Sequence, residues 1–310
     1  MAQTAAAAPR PGLPPAWPGR DVDVRGQRLF VRRAGTVDAA PAVLVHGLGG
    51  SSTNWTDLMV ELAPLLDLHA LDLPGFGRSA PPPDGKYSIG MHVRAVRRYI
   101  EHLDRGPVHL LGNSLGGAVS TRLAAEHPEL VRTLALCSPA LPQYRVRRQS
   151  DPRLGLMLIP GAAAVVARSM DRIAPEERAR AVLEFCYADA SRLHPQRVAE
   201  AAEEIGRRVG SAWAGSALVG SMRGLVASYI DPGPRNLWRA AARVECPTLL
   251  VFGKQDRLVP HTLAGRARTT FRDSRLLLLD DTGHVPQMEH PVVVADAVRT
   301  LIAGLEQPAT

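Results

Sequence analysis

Three cysteines in 310 residues, Cys137, Cys186 and Cys246, are too few and too scattered for a disulfide framework, and none stands in a Cys-x-x-Cys pair with metal-ligand spacing. A reducing, cytoplasmic setting is the expectation. The chain also lacks any stretch of about 18 uncharged apolar residues, which excludes a spanning helix and stable membrane insertion. Its first twenty residues are rich in alanine and proline but have no apolar core of about 7–15 residues behind a basic start, so they read as a flexible tail rather than a secretion signal. Charge of one sign is not concentrated either. Lys plus Arg exceed Asp plus Glu by 37 to 30, with the excess spread as arginines through helical segments, and this gives no nucleic-acid footprint. Pairs such as Arg147-Arg148 and Arg207-Arg208 are expected on solvated faces. No internal repeat is visible.

What is present is apolar content of 45%, enough to fill a sizeable core, arranged as short runs alternating with helical patterns. The runs fall at 42–45, 68–73, 108–111, 133–137, 248–252 and 276–279, and unbroken apolar runs of this length fit strands buried on both faces of a mostly parallel sheet. Between them, Ser88 is a candidate N-cap for a helix that places Ile89, Val93, Val96, Ile100 and Leu103 on one face and Arg94, Arg97, Arg98 and Glu101 on the other. An antiparallel hairpin is expected at 21–33. The fold class is α/β.

The alternation stops from about 141 to 240, where helical spacing takes over. Pro175 and Pro195 suit first helical turns, and Val198, Ala202, Ile205 and Val209, then Leu218, Met222, Leu225 and Tyr229, repeat at helical intervals. Cap residues such as Trp213, Met222 and Tyr229 are expected to face the core. The expected organisation is a tail at 1–20, a first core part at 21–140, a helical cap at 141–240 and a second core part at 241–310.

Gly112-Asn113-Ser114-Leu115-Gly116-Gly117 follows the run 108–111 and opens a helix that reaches about Glu126. This is the context a Gly-x-Ser-x-Gly nucleophile elbow requires: a strained serine on a strand-to-helix turn, flanked by glycines because the two backbones approach too closely for side chains. The strand before it ends in His46-Gly47-Leu48-Gly49-Gly50, so the backbone N–H groups of Leu48 and Leu115 are the candidate oxyanion donors. A serine hydroxyl needs a base, and the base needs a third group to hold its tautomer. Asp256 stands just after the run 248–252, and His284, preceded by Gly283, follows the run 276–279. In a parallel sheet the loops after the strands share one edge, which brings Ser114, Asp256 and His284 together. Asp280 and Asp281 lie too close to His284 along the chain to reach its far ring nitrogen. His46 is expected to be a structural part of its loop, and Asp72 to fix the turn that follows it. His92, His102, His109, His127, His194, His261 and His290 lack a Gly-His context after a strand. Gly47-x-Gly49 with Asp72 imitates half of a dinucleotide site, but Ser52 occupies the third small position, so no cofactor is expected, and no metal site.

The elbow, the oxyanion loop, Asp72-Leu73-Pro74-Gly75-Phe76-Gly77-Arg78-Ser79, the late acid and the Gly-His together resemble the α/β-hydrolase superfamily over essentially all of 21–305. The resemblance implies a pocket between lid and sheet, acyl transfer to Ser114 and release by water, on a small apolar carboxylic ester. Gly-Asn-Ser-x-Gly-Gly is also similar to the elbow of hydrolases that cleave carbon–carbon bonds in aromatic ring-fission products, although those usually carry Trp after the histidine, where this chain has Val285. A serine at the nucleophile position argues against dehalogenase and epoxide hydrolase chemistry, which use Asp there. A ligand-binding protein that keeps the fold without turnover is the alternative from another class. Oligomeric state stays open.

Overall fold

The computed structural model describes residues 13–143 and 172–305. Its chain enters through β1 (Gly19–Val24) and β2 (Gln27–Ala34), an antiparallel hairpin whose two-residue turn, Arg25-Gly26, has φ of 55° and 82°. Two left-handed residues give the turn a twist that matches the flanking strands. β3 (Ala40–Val45), β4 (Leu66–Leu71), β5 (Val108–Asn113), β6 (Val131–Cys137), β7 (Thr248–Gly253) and β8 (Ser274–Leu279) complete one sheet in the order β1-β2-β4-β3-β5-β6-β7-β8. β2 meets β4 antiparallel, and every pair from β4 to β8 is parallel.

Alternate residues of a strand face opposite sides, and here each side has its own core. Val43, Val45, Leu110, Leu134 and Phe252 point to one cluster; Ala42, Leu44, Leu111, Ala135 and Val251 point to the other. Helices α2 (Ile89–Leu103) and α3 (Leu115–Glu126) pack against the first, while α1 (Thr56–Leu62) and the C-terminal helix, α10 (Pro291–Ala303), pack against the second. Ser88 caps α2 as expected, its hydroxyl accepting the Met91 N–H at 3.1 Å, and Ile89, Val93, Val96 and Ile100 are buried. β8 departs from the expectation of two buried faces. It is an edge strand with Leu278 exposed, because its neighbour on that side is solvent, and an apolar run alone cannot distinguish an edge from a centre.

Between β6 and β7 the described residues form helices and no strand: α4 (Pro175–Cys186), α5 (Pro195–Arg208), α6 (Ala214–Ile230) and α7 (Leu237–Ala241); α8 (Leu263–Thr270) then joins β7 to β8. Pro175 and Pro195 each stand at the first turn. Residues 144–171, including Arg147-Arg148, lie outside the described residues, as do 1–12 of the tail and 306–310. Residues 14–17 run beside α5, with the Ala16 N–H donating to Glu200 and the Pro14 carbonyl accepting from Arg197. Two side chains differ from expectation. Trp213 is 39% exposed at the N-cap of α6, ahead of the helix face that packs. Arg207 is exposed, but Arg208 turns inward, lies over the Phe76 ring at 5.9 Å and donates to the Gly49 carbonyl at 3.3 Å. Among the described residues no helix is long and apolar enough to cross a membrane.

Candidate active site

β5 ends at Asn113 and α3 begins at Leu115, leaving Ser114 between them with φ 52° and ψ −114°. A non-glycine residue there carries strain of about 1–3 kcal/mol and persists only when its surroundings dictate it. They do: the Ser114 N–H donates to the Cys137 carbonyl at 3.1 Å, and the Ser114 carbonyl accepts from Ala118 and Ala140, both at 3.0 Å. A Cβ on Gly112 would lie 2.6 Å from the Gly116 carbonyl oxygen, and one on Gly116 would lie 2.0 Å from that of Val45. Both glycines are therefore required by backbone contact. Ser114 itself is half-buried while its neighbours are buried, so the turn leaves the serine accessible. Leu115 is the first residue of α3, where a helix leaves its N–H groups without intrahelical partners.

The loop after β3 reaches this turn. A Cβ on Gly47 would stand 3.2 Å from the Cβ of Ser114, which puts Leu48 one residue from the point where the loop meets Ser114. His46 builds the loop. Its Nδ1 lies 2.7 Å from the Gly47 carbonyl oxygen, and its Nε2 accepts the Leu73 N–H at 3.0 Å, so the two partners assign the proton to Nδ1. Burial pushes the imidazole from its ordinary 6.5 to about 4, against the Gly47 carbonyl and helped by the charge of Arg208. His46 is thus a neutral strut. Asp72 ties the same loop to the next one, accepting from the Ser52 N–H at 2.6 Å and the Arg78 N–H at 2.8 Å. Burial raises its carboxyl above the ordinary range, and the backbone donors oppose that rise.

On the other side, Asp256 follows β7 and His284 follows β8. Asp256 Oδ2 lies 2.9 Å from His284 Nδ1, while its Oδ1 accepts the N–H groups of Leu258 and Val259 at 2.8 and 2.9 Å. Burial alone would raise this carboxyl; the His284 ring and the two backbone donors outweigh it and hold it below the ordinary value. A Cβ on Gly253 would meet the Thr282 carbonyl at 2.2 Å, so the two loops touch. The rival acids are elsewhere. Asp280 pairs with Lys254 and Asp281 with Arg192, each at 2.6 Å, and both carboxylates are exposed.

Asn113 joins the two halves and was not singled out by its sequence. Its buried side chain donates to the Cys137 carbonyl at 3.0 Å and to the His284 carbonyl at 3.1 Å, which ties the residue before Ser114 to the loop that carries His284. A polar residue at the end of the strand, next to Ser114, was the available signal. Three further buried histidines have partners away from the serine: His92 meets Ser221, His109 meets Thr133 and His69 meets Tyr99. Cap helices border the site. Leu218 of α6 lies 3.7 Å from where a Gly49 Cβ would be, and the end of α4 supplies the Cys186 carbonyl that accepts the His284 N–H at 2.6 Å. Among the described residues no three His, Cys, Asp or Glu side chains gather as metal ligands.

Comparison with known proteins gives the family of this fold. A family model described as the alpha/beta hydrolase fold matches residues 41–291. The chain is 30% identical over 267 residues to a dihydrolipoyllysine-residue acetyltransferase component of an acetoin cleaving system from Cupriavidus necator, covering 86% of this chain but only 64% of that protein's length. It is 25% identical to human monoacylglycerol lipase ABHD6, covering 86% of this chain and 76% of the relative. It is 26% identical to 2-hydroxymuconate semialdehyde hydrolase from Pseudomonas sp., covering 94% and 96%. With a family match over most of its length, a parallel sheet in this strand order and a strained serine at the β5–α3 turn, the chain belongs to the alpha/beta hydrolase fold family.

Proposed function

We propose that this chain is a serine hydrolase that cleaves a small apolar carboxylic ester, with Ser114 as nucleophile, His284 as general base and Asp256 as the group that orients the base. The observation that carries the reading is the strained, accessible Ser114, one residue from Asn113, whose side chain holds the loop of the His284–Asp256 pair. Ser114 Oγ attacks the ester carbonyl while His284 Nε2 takes its proton, and the Nδ1–H shared with Asp256 supports the imidazolium. The N–H groups of Leu48 and Leu115 hold the oxyanion. His284 then protonates the departing alcohol, and a water activated by the same ring hydrolyses the acyl-enzyme. No cofactor enters these steps.

The segment between β6 and β7, with its helices α4 to α7, acts as a cap that selects the substrate, supported by the approach of Leu218 in α6 to Gly49 of the loop after β3. A cytoplasmic setting is supported by three cysteines that are free, with burial pushing each thiol up to about 12. Carbon–carbon bond hydrolysis is the second reading, favoured by the Gly-Asn-Ser-x-Gly-Gly elbow and by similarity to the semialdehyde hydrolase, and opposed by Val285 after the histidine. Purified protein is to be assayed with p-nitrophenyl esters of graded chain length beside a 2-hydroxy-6-oxo-dienoate. Ester turnover with a defined chain-length optimum is expected. Turnover of the dienoate alone would establish the second reading, and binding of both without turnover of either would make the chain a ligand-binding protein.

A further inference from the structure

We propose that Glu289 is a positioning residue for His284, its carboxylate joining the loop of the base to the end of cap helix α4. The proposal rests on the reading of His284 as the general base. Glu289 closes a short helical turn, α9 (Pro286–Glu289), that begins two residues after His284. Its two oxygens are taken by two different parts of the fold: Oε1 accepts the Gly283 N–H and Oε2 accepts the Ala188 N–H, each at 2.8 Å. Gly283 precedes the base, and Ala188 lies two residues beyond α4. The same two segments meet a second time, where the His284 N–H donates to the Cys186 carbonyl at 2.6 Å. Contact is so close that a Cβ on Gly283 would lie 2.2 Å from the Cys186 oxygen and 2.7 Å from the Ala188 nitrogen.

A carboxylate suits this place because both converging groups are N–H donors and only an ionised carboxyl presents an acceptor to each. Burial pushes the group upward, and the two N–H groups, with His290 beside them, oppose that rise. The backbone of His284 is consequently held on three sides: through Gly283 by Glu289, through its own N–H by Cys186, and through its carbonyl by Asn113. Two of those three constraints run through the end of α4. Docking of the cap thereby sets the position of the base.

Glu289→Gln keeps the shape but turns an NH2 group toward one of the two N–H donors, so one constraint becomes a donor–donor clash. Wild type and variant are compared by ester kinetics, by the rate of fluorophosphonate labelling at Ser114 and by the downfield proton resonance of His284 Nδ1–H, with thermal melting as the control. The expected result is a loss of on the order of 10- to 100-fold in kcat and in labelling rate, since a small displacement of a reacting group has that effect. KM should stay within about twofold, because Glu289 acts on the base rather than on substrate binding. The resonance should shift or broaden, and Glu289→Asp, which keeps the charge on a shorter arm, should recover part of the rate. A variant with a lowered melting temperature but wild-type labelling rate and resonance would overturn the proposal and leave Glu289 a structural latch. Should Glu289→Gln fail to fold, Glu289→Asp is read in the same way, with an unchanged rate and resonance overturning the proposal. A wild type that is never labelled would sink the Ser114 reading instead, and the His284 resonance would still decide the role of Glu289.

Discussion

Asp256 has a distinct partner on each oxygen, and that determines what its amide can do. Backbone N–H groups of Leu258 and Val259 occupy Oδ1, so in Asp256→Asn the amide oxygen is drawn to that side and the NH2 is left facing His284 Nδ1. The ring must then accept at Nδ1 and carry its proton on Nε2, where it cannot take one from Ser114. We expect Asp256→Asn to lose on the order of 10⁴ in kcat with KM little changed and the fold intact by circular dichroism. Asp280→Asn, at an exposed carboxylate paired with Lys254, should retain wild-type turnover; the reverse pattern would move the acid role to Asp280. The candidate site was largely legible at this scale. Ser114, His284 and Asp256 could be nominated because a Gly-x-Ser-x-Gly turn, a Gly-His and an acid each follow an apolar run within a few residues. Asn113 and Glu289 were not, since their partners are carbonyls and N–H groups that no sequence pattern marks.

Helix α5 shows where legibility ends among the elements. Its apolar spacing was correct for Val198, Ala202 and Ile205, but its polar residues include some that face protein. Glu204 is buried and accepts from Arg32 at 3.2 Å and Arg78 at 3.0 Å, while Arg197 binds Asp57 at 2.6 Å and Glu200 at 2.7 Å. Apart from Glu200, one helical turn from Arg197, those partners lie far away in sequence, in β2, the turn after β4 and α1, so periodicity could not reveal that α5 is anchored by charge. Removing one member leaves a buried charge unpaired. Glu204→Gln should destabilise the protein by about 3–5 kcal/mol in a denaturant melt, as breaking a buried pair does. A change below about 1 kcal/mol, the range of exposed pairs, would show that α5 is not held this way. The same lack of a partner in view explains Trp213 and β8: both read as core from composition, and both border solvent.

At the scale of the whole molecule the sheet and its interruption were legible because most buried strands are dominated by apolar residues even where Asp67, His69 and His109 interrupt them, whereas the pairing order and the acid response depend on what burial does in three dimensions. Burial holds His46 and His109 at about 4 and His92 at about 3, all below the ordinary 6.5. Below 6.5 the unfolded chain takes up protons that these rings refuse, so their contribution to stability is complete above that pH and is lost as pH falls toward 4. Asp72 and Glu289, whose carboxyls are raised, act in the opposite sense, so a single residue must be isolated. His109 meets Thr133 at 2.8 Å on the sheet and is remote from the candidate chemistry. The stability difference between wild type and His109→Gln should narrow by up to about 3 kcal/mol between pH 6.5 and pH 4; a difference independent of pH would mean that the ring titrates as it does in water. The central claim is covalent chemistry at one oxygen, and mass spectrometry after exposure to a fluorophosphonate tests it most directly. One added probe mass is expected on the peptide that carries Ser114, none on Ser114→Ala, and labelling of His284→Ala slowed by orders of magnitude. Labelling that persists in Ser114→Ala with ester turnover intact would contradict it.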